Sequence, residues 1–223
     1  MTSIAKRLAA AAAVVFAAVT LSACGVNVIP TKEEAAKARW ADVQNQYQRR
    51  ADLVPNLVAT VQGAAIQERT VLTEVVNARA RATGVNITAD DLDDPAKFQQ
   101  FQAAQNELSR SLGRLLLVVE NYPQLQSNQN FLALQSQLEG TENRIAVARR
   151  DYNAAVQDYN TSLRTFPTIL WAKTVHGGSR PMQLFQANAA AQSAPQVDFG
   201  GLAPGAAPGS APPAPVTQAA PAQ

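Results

Sequence analysis

Apolar side chains recur every three or four residues over most of residues 32–166, the spacing that places them on one face of a helix. The first helix predicted by this pattern covers residues 32–82, with acidic residues in its first turn. Because Pro55 lacks a backbone N–H and crowds the preceding turn, we expect a kink or a restart near Asp52. The predicted apolar face consists of Leu53, Leu57, Val61, Ala64, Val71, Val75 and Ala78.

The pattern predicts two further long helices. The second begins at Pro95 with Asp94 as its N-cap, ends near Tyr122, and has the apolar face Phe98, Phe101, Leu108, Leu112, Leu115 and Val119. The third follows a cap at Ser127 or Asn128 and closes at Phe166, with the apolar face Phe131, Leu134, Leu138, Thr141, Ile145, Ala148, Tyr152, Ala155, Tyr159, Ser162 and Phe166. These steps alternate between three and four, which predicts packing against other helices.

A shorter region follows the third helix. Residues 168–173 predict one or two helical turns, the segment after His176 predicts a turn, and residues 181–200 are expected to be extended. We expect Trp171, Phe185 and Phe199 to dock on the helices. With strand patterns almost absent, the predicted class is all-α: long antiparallel helices forming a bundle, with a short C-terminal helix and an extended tail.

Both ends of the chain differ in composition from the helical region. Residues 1–23 combine Lys6 and Arg7, an apolar run and small residues, the pattern of a secretory signal peptide. Residues 24–31 are expected to be a lipid-anchored linker, residues 32–200 the bundle, and residues 201–223 a disordered Pro/Ala-rich tail.

Cys24 is the only cysteine, which excludes an intramolecular disulfide and a thiolate metal cluster. The stretch Leu21-Ser-Ala-Cys24 resembles the bacterial lipobox, in which the cysteine is acylated and becomes the mature N-terminus. Each buried CH₂ of such acyl chains contributes about 0.8 kcal/mol to membrane binding. The alternative is a retained transmembrane helix, because no charged residue occurs between Leu8 and Thr31.

The charge balance argues against nucleic acid as a partner. The chain has 19 basic and 17 acidic residues, but Lys6 and Arg7 belong to the predicted signal, which leaves 17 of each. Nucleic-acid binding needs a clustered basic surface, and Lys and Arg do not form runs longer than two here.

Several motifs resemble the LemA family over about residues 38–200. These are Arg49-Arg-Ala-Asp-Leu-Val-Pro-Asn-Leu57, Glu120-Asn-Tyr-Pro-Gln-Leu125, Leu138-Glu-Gly-Thr-Glu-Asn-Arg-Ile-Ala-Val-Ala-Arg-Arg-Asp-Tyr-Asn153 and Ala194-Pro-Gln-Val-Asp-Phe199. The resemblance implies a membrane-anchored helical protein of the bacterial envelope without an established enzymatic activity. Members commonly keep an uncleaved transmembrane helix, whereas this chain has a lipobox-like cysteine and an added tail.

The acidic run at 90–94 and the single histidine are candidates for chemistry. The four acids at 90, 91, 93 and 94 are enough carboxylates to bind Ca²⁺. They lack the alternating ligands, the central glycine and the closing glutamate of a calcium-binding loop, so a solvated turn with an N-cap is favoured. His176 is the only histidine and has no nucleophile motif beside it, which favours a loop histidine over a catalytic or zinc-binding one. We therefore expect no metal and no cofactor.

The densest polar patch lies on the third helix. Its residues are interpreted as register-setting partners beside the helix seam or as a partner-binding face, with a catalytic pocket as the weakest alternative; they are Glu139, Glu142, Asn143, Arg144, Arg149, Arg150 and Asp151. Asparagines at 121, 128, 143, 153 and 160 fit the register interpretation, because buried amides fix helix alignment.

The sequence thus favours a non-enzymatic structural or adaptor module, anchored by lipid in a bacterial inner or outer membrane and facing the periplasm, with an envelope protein as partner. Two alternatives stay open. A small ligand or lipid would bind in the bundle, and an envelope hydrolase would need Glu139, Glu142 or His176 to converge with groups from another helix.

Overall fold

The computed structural model describes residues 25–63 and 68–186, whose regular elements are all helical. The elements are α1 (Val28–Gly63), α2 (Arg69–Gly84), a 3₁₀ turn (Ala89–Asp91), α3 (Pro95–Val119), α4 (Pro123–Gln126), α5 (Gln129–Ser162) and α6 (Thr168–Thr174). The described ranges contain no strand, and the all-α prediction is confirmed.

The two longest helices, α1 and α5, pack antiparallel. Near the beginning of α1, the Lys32 ammonium donates to the carbonyl of Asp158 late in α5, with an N–O distance of 3.4 Å. Later in α1, Arg50 meets Glu142, which lies sixteen residues earlier in α5 than Asp158. Early residues of one helix therefore face late residues of the other, and α1 begins where α5 ends.

Helix α2 folds back along α1 and also packs antiparallel to α3. The Nε of Arg79 donates to the carbonyl oxygen of Ala51 at 2.7 Å, which places the end of α2 beside the middle of α1. Two exposed ion pairs join α2 to α3: Arg81 with Glu107 at 2.6 Å and Arg114 with Glu74 at 2.9 Å. Four helices thus run alternately up and down, which is the simplest bundle topology.

This arrangement corrects the prediction of one helix over residues 32–82. Helix α1 continues through Pro55 to Gly63 without a restart near Asp52, and the chain reverses before α2 begins at Arg69. Pro55 is exposed, so its ring projects outward from α1. Helix α1 also begins at Val28, inside the segment expected to be a linker.

The predicted helix caps on α3 and α5 are confirmed. The Asp94 carboxylate accepts hydrogen bonds from the backbone N–H groups of Ala96 and Lys97, with Pro95 in the first turn. Asn128, one of the two residues proposed for α5, accepts from the N–H groups of Asn130 and Phe131. Both side chains satisfy N–H groups that lack a partner inside the helix.

The apolar faces predicted for α3 and α5 form most of the core. All six residues predicted for α3 are buried, and so are most of those predicted for α5. Leu134 and Ala155 are partly buried, whereas Phe166 is 79% exposed because α5 ends at Ser162. Of the face predicted for the first helix, Leu57, Val61, Val75 and Ala78 are buried, Leu53 and Val71 are partly buried, and Ala64 lies outside the described residues.

The segment after α6 lies along α5 as an extended strap, residues 182–185. The Asn160 amide donates to the Met182 carbonyl and accepts from its N–H, both at 2.9 Å. The Asn153 amide does the same with Phe185, at 3.0 and 2.9 Å. Phe185 is buried and Trp171 packs partly buried on the same core, as predicted.

Some predictions fall on residues that the structure does not describe. They include the signal segment, Cys24, Phe199 and the Pro/Ala-rich tail. All the helices in the described ranges belong to the first of two units, Met1–Phe185; of the second unit, Gln186–Gln223, only Gln186 is described. None of the helices in residues 25–63 and 68–186 combines the length and apolar character needed to cross a bilayer.

Candidate functional site

A buried arginine joins three helices at the centre of the bundle. Arg50 of α1 is only 1% exposed. Its Nη1 donates to the Ser109 hydroxyl of α3 at 2.7 Å and to the Glu142 carboxylate of α5 at 2.8 Å. Its Nη2 donates to the side-chain and backbone oxygens of Gln105 at 2.6 and 3.2 Å. We call Arg50, Gln105, Ser109 and Glu142 the Arg50 network.

The Arg50 network also reaches α2 and an aromatic ring. The amide nitrogen of Gln105 donates to the carbonyl of Ala82 at 3.1 Å, close to the end of α2. The guanidinium carbon of Arg50 lies 5.0 Å from the centre of the Tyr47 ring, within the range of a cation–π contact. Burial raises the pKa of the Tyr47 hydroxyl above its ordinary value.

The Arg50 network separates two apolar clusters of the core. On α1, Tyr47 belongs to one cluster and Val54 to the other, with Arg50 between them. On α3, Phe101 and Leu108 are divided in the same way around Gln105. A polar layer therefore crosses the bundle. Its hydrogen bonds can form only if α1, α3 and α5 pack in the register seen here.

The chemistry of the Arg50 network fits a structural role better than a catalytic one. A guanidinium stays protonated in proteins and cannot act as an acid or base at neutral pH. Ser109 has no histidine beside it, since the only histidine of the chain is His176. The Nε of Arg50 is buried without a hydrogen-bond partner among the described residues, although the rest of the guanidinium donates four hydrogen bonds. Such a buried N–H without an acceptor lowers stability and is uncommon in folded proteins.

The structure divides the patch predicted on the third helix. Glu142 and Arg149 contact other segments of the chain: Glu142 accepts a hydrogen bond from Arg50, and the Arg149 guanidinium carbon lies 4.5 Å from the centre of the Phe185 ring. The exposed Glu139 accepts a hydrogen bond from Gln135 of its own helix at 3.1 Å. The exposed Arg150 donates to its neighbour Asp151 at 3.2 Å.

The other two patch residues, Asn143 and Arg144, line an open groove between α1 and α5, which we call the α1–α5 groove. Its volume is about 320 Å³, and it is lined by Arg39, Asp42, Gln46, Asn143, Arg144, Val147, Ala148 and Asp151. Val147 is 47% exposed and, with Ala148, supplies the apolar surface. The side-chain oxygen of Gln46 is buried without a partner among the described residues.

A second, more polar cleft lies where α1 begins. It has a volume of about 390 Å³ and is lined by Glu33, Lys37, Ala89, Asp90, Leu92, Asp93, Tyr159, His176, Gly178, Ser179, Arg180 and Met182. Lys37 pairs with Glu33 at 2.9 Å, and this hydrogen bond raises the pKa of Lys37. Burial likewise raises the pKa of the Tyr159 hydroxyl. We call this the polar cleft.

The residues considered for a hydrolase do not converge. The Nε2 of His176 lies 3.0 Å from the carbonyl oxygen of Val26, just before α1. Glu142 faces Arg50, twenty-two residues into α1, which is about 33 Å along the helix axis at 1.5 Å per residue. Glu139 is exposed on α5, one turn from Glu142.

The acidic run before α3 is occupied by local contacts. Asp91 pairs with Lys97 and accepts from Thr88, and the Lys97 hydrogen bond lowers the pKa of Asp91 to about 2. Asp94 caps α3, and Asp93 lies 3.6 Å from Arg180. Within residues 25–63 and 68–186, no group of three or more histidines, cysteines or acids is placed to hold a metal ion.

The residues that form the Arg50 network lie within a region of the chain that is similar to a known protein family. Residues 39–199 match the model of the LemA family. The chain belongs to the LemA family. Arg50 lies in the first of the motifs that suggested this family, and Glu142 lies in the longest, so the structure connects the two motifs by an ion pair.

Relatives of this LemA-family chain include magnetosome proteins. It is 27% identical over 157 residues to Magnetosome protein MamQ 1 and MamQ 2 of Paramagnetospirillum magneticum, and 26% identical to Magnetosome protein MamQ of Magnetospirillum gryphiswaldense. Each match covers 63% of this chain and 58% of the relative. The chain thus spans somewhat more than half the length of these relatives.

Arg50 and Gln105 are site residues that the helical spacing alone did not predict. A signal was present, because residues 43, 47, 50, 54 and 57 continue the apolar spacing of α1 with one arginine among them. A charged residue at a core position of a helix indicates a buried partner on another helix. The identity of that partner cannot be read from spacing alone.

Proposed function

We propose that the protein is a non-catalytic, membrane-attached module of the bacterial cell envelope that binds another envelope protein in the α1–α5 groove. The observation that carries the proposal is the exposed side chain of Val147, which lies in the groove with Ala148 below it and charged side chains from both helices around it. Such a groove suits an amphipathic helix or extended segment that inserts one apolar side chain.

The charges around the groove give it selectivity. Arg39 and Asp42 come from α1, and Arg144 and Asp151 come from α5, so each wall carries both signs. Arg39 and Asp42 pair with each other at 3.3 Å, and both are more than half exposed, so this pair is worth little to stability. A partner with alternating charges beside its apolar anchor can replace these weak pairs with intermolecular ones.

Membrane attachment is proposed from the apolar segment and Cys24 that precede the described helices. Either acylation of Cys24 or retention of the segment would hold the beginning of α1 near a bilayer. The relatives named as magnetosome proteins support a role at a membrane-bounded structure.

In-cell photo-crosslinking tests the proposal. Benzoylphenylalanine is placed at Val147 in the groove or at Val76 on α2, two valines of nearly equal exposure at 47% and 48%. We expect a discrete protein adduct from position 147 that is lost with Arg144→Glu, and none from position 76. The same adducts from both positions, or none from position 147, would contradict the proposal.

A second candidate function is suggested by the polar cleft. Its volume and its hydroxyl, carboxylate and ammonium groups suit a small polar ligand better than an apolar one. A thermal-shift series with soluble peptidoglycan fragments tests it, with Lys37→Met as the variant expected to abolish any shift. A shift that survives in Lys37→Met would place the ligand elsewhere.

A further inference from the structure

We infer that the surface around α6 is a second membrane contact, one that lies flat on an anionic bilayer beside the N-terminal attachment point. We call this surface, defined by Phe166, Leu170, Val175, Arg164 and Lys173, the α6 face. The inference rests on the proposed membrane attachment, and it adds that the folded helices themselves bind lipid.

The first observation is apolar surface that the protein leaves uncovered. Phe166 is 79% exposed, Leu170 is 55% exposed, and Val175 is also more than half exposed. The three residues fall within ten positions of the chain. Leu170 and Lys173 are three residues apart on α6 and therefore share its outward side, while Trp171 and Ala172 pack toward the core. Clustered exposed apolar residues on one short segment mark an interaction surface.

The second observation is the place of the α6 face in the fold. The His176 ring, which follows directly after Val175, lies 3.0 Å from the carbonyl of Val26. Val26 is two residues after Cys24 in the sequence. Whether the chain is held by acyl groups on Cys24 or by its apolar N-terminal segment, the α6 face then lies within a few residues of the bilayer. A protein partner would have to enter this confined space.

The third observation is charge. Residues 159–186 contain Arg164, Lys173 and Arg180 and no acidic residue. Arg164 and Lys173 are exposed and take part in no ion pair within the described part of the chain, whereas Arg180 lies 3.6 Å from Asp93. Free basic side chains beside exposed aromatic and aliphatic ones are the composition of surfaces that bind the headgroup region of anionic membranes.

These features favour lipid over other occupants. An aromatic ring and two aliphatic side chains can enter the boundary between headgroups and acyl chains, while the Arg164 and Lys173 side chains extend to phosphate groups. Attachment at two points would fix the orientation of the bundle on the membrane. The α1–α5 groove would then keep a constant direction relative to the bilayer.

Photo-crosslinking in vesicles tests the inference with the full chain. The protein is reconstituted in vesicles of phosphatidylcholine and phosphatidylglycerol, with benzoylphenylalanine at Leu170 or at Leu117. Leu117 is a matched control because it is 62% exposed and lies near the end of α3, remote from the beginning of α1. We expect severalfold more phospholipid adducts from position 170 than from position 117, measured by mass spectrometry.

Two variants separate the contributions to binding. Phe166→Ser combined with Val175→Ser is expected to reduce the lipid adducts at position 170 severalfold. Lys173→Glu is expected to reduce them in the mixed vesicles and to have little effect in vesicles of phosphatidylcholine alone. Circular dichroism and a melting curve confirm that each variant is folded.

The outcomes distinguish this inference from the proposed attachment. Flotation with the vesicles and intact mass report the N-terminal attachment, whereas adducts at position 170 report the α6 face. A chain that floats but gives equal adducts at positions 170 and 117 overturns the inference and leaves the attachment standing. Adducts at position 170 to protein only, whether another chain or the same one, also overturn it. Lipid adducts at position 170 in a chain without acylated Cys24 support the α6 face on its own.

Discussion

The guanidinium of Arg50 donates to the Glu142 carboxylate at 2.8 Å, across the interface between the two longest helices. Arg50 is buried, while the side chain of Glu142 is 45% exposed. The pair therefore sits at the edge of the polar layer that divides the core. Its strength depends on the remaining hydrogen bonds that hold the arginine in place.

Replacement of the arginine should cost more than replacement of the acid. We expect Arg50→Ala to lower the free energy of unfolding by about 3 kcal/mol, because it removes four hydrogen bonds and leaves a cavity beside Gln105. Glu142→Gln should cost about 1 kcal/mol, since an acceptor oxygen remains and the site is partly hydrated. Urea denaturation followed by circular dichroism measures both.

The control for this pair is Glu139→Gln on the same helix. In the described part of the chain, the Glu139 side chain accepts a hydrogen bond from Gln135 of its own helix and makes none to another helix. Its replacement should therefore change the free energy of unfolding by less than about 0.5 kcal/mol. A double-mutant cycle of Arg50→Ala and Glu142→Gln should give a coupling energy of about 1 kcal/mol. A coupling energy near zero would show that the direct interaction between Arg50 and Glu142 does not contribute to stability.

The N-cap of α3 offers a test within the acidic run. Asp94→Ala should destabilise the protein by about 1 kcal/mol, because two backbone N–H groups lose their acceptor. Asp90→Ala should change stability by less than about 0.5 kcal/mol, since Asp90 is exposed and takes no part in a cap or an ion pair of the described region. Thermal unfolding with and without calcium measures both effects, and a melting temperature raised by calcium would argue for a cation site instead.

The strap of residues 182–185 should detach from α5 when the Asn160 side-chain amide is replaced. Asn160→Asp replaces the N–H₂ donor to the Met182 carbonyl with a carboxylate oxygen, which repels that carbonyl. We expect hydrogen exchange of the Met182 and Phe185 amides to accelerate, corresponding to about 1–3 kcal/mol of lost protection. Gln157→Glu, an exposed change of the same kind on α5, should leave this exchange unaltered.

The lowered pKa of Asp91 should make the stability of the protein depend on pH in the acidic range. Its pKa is lowered from 3.8 to about 2, first by the hydrogen bond from Lys97 and then by those from Thr88. Because the folded-state pKa lies below the unfolded value, the contribution is present above pH 3.8 and is lost as the pH falls toward about 2. The melting temperature of Lys97→Met should fall less steeply over this range than that of the unaltered chain. Parallel curves would show that the pair has no role in acid unfolding.

Helix faces and caps were predictable from local chemistry. The N-caps Asp94 and Asn128 and the buried faces of α3 and α5 depend on residues a few positions apart, which the sequence displays directly. The reversal between α1 and α2 was missed because Val61, Val71 and Val75 keep a helical spacing on both sides of it. An apolar spacing cannot show that two stretches form separate helices packed side by side instead of one continuous helix.

The candidate sites were harder to foresee, because they depend on which helices become neighbours. Asn143 and Arg144 were singled out on α5, but the α1–α5 groove needs Arg39 and Asp42 from α1 opposite them. The assignment of Phe166 to the core failed because α5 ends at Ser162, four residues earlier than its spacing suggested. Pairing between distant segments is settled by tertiary packing, which helix periodicity does not encode.

The antiparallel contact between α1 and α5 has a mechanical consequence. If the bilayer pulls on the beginning of α1 while a partner holds α5 at the groove, the two helices are loaded in opposite directions along their shared axis. The contacts from Lys32 to Arg50 would then resist together in shear, because sliding must break them at the same time. A bundle built in this way can carry tension between a membrane and a bound protein without opening from one end.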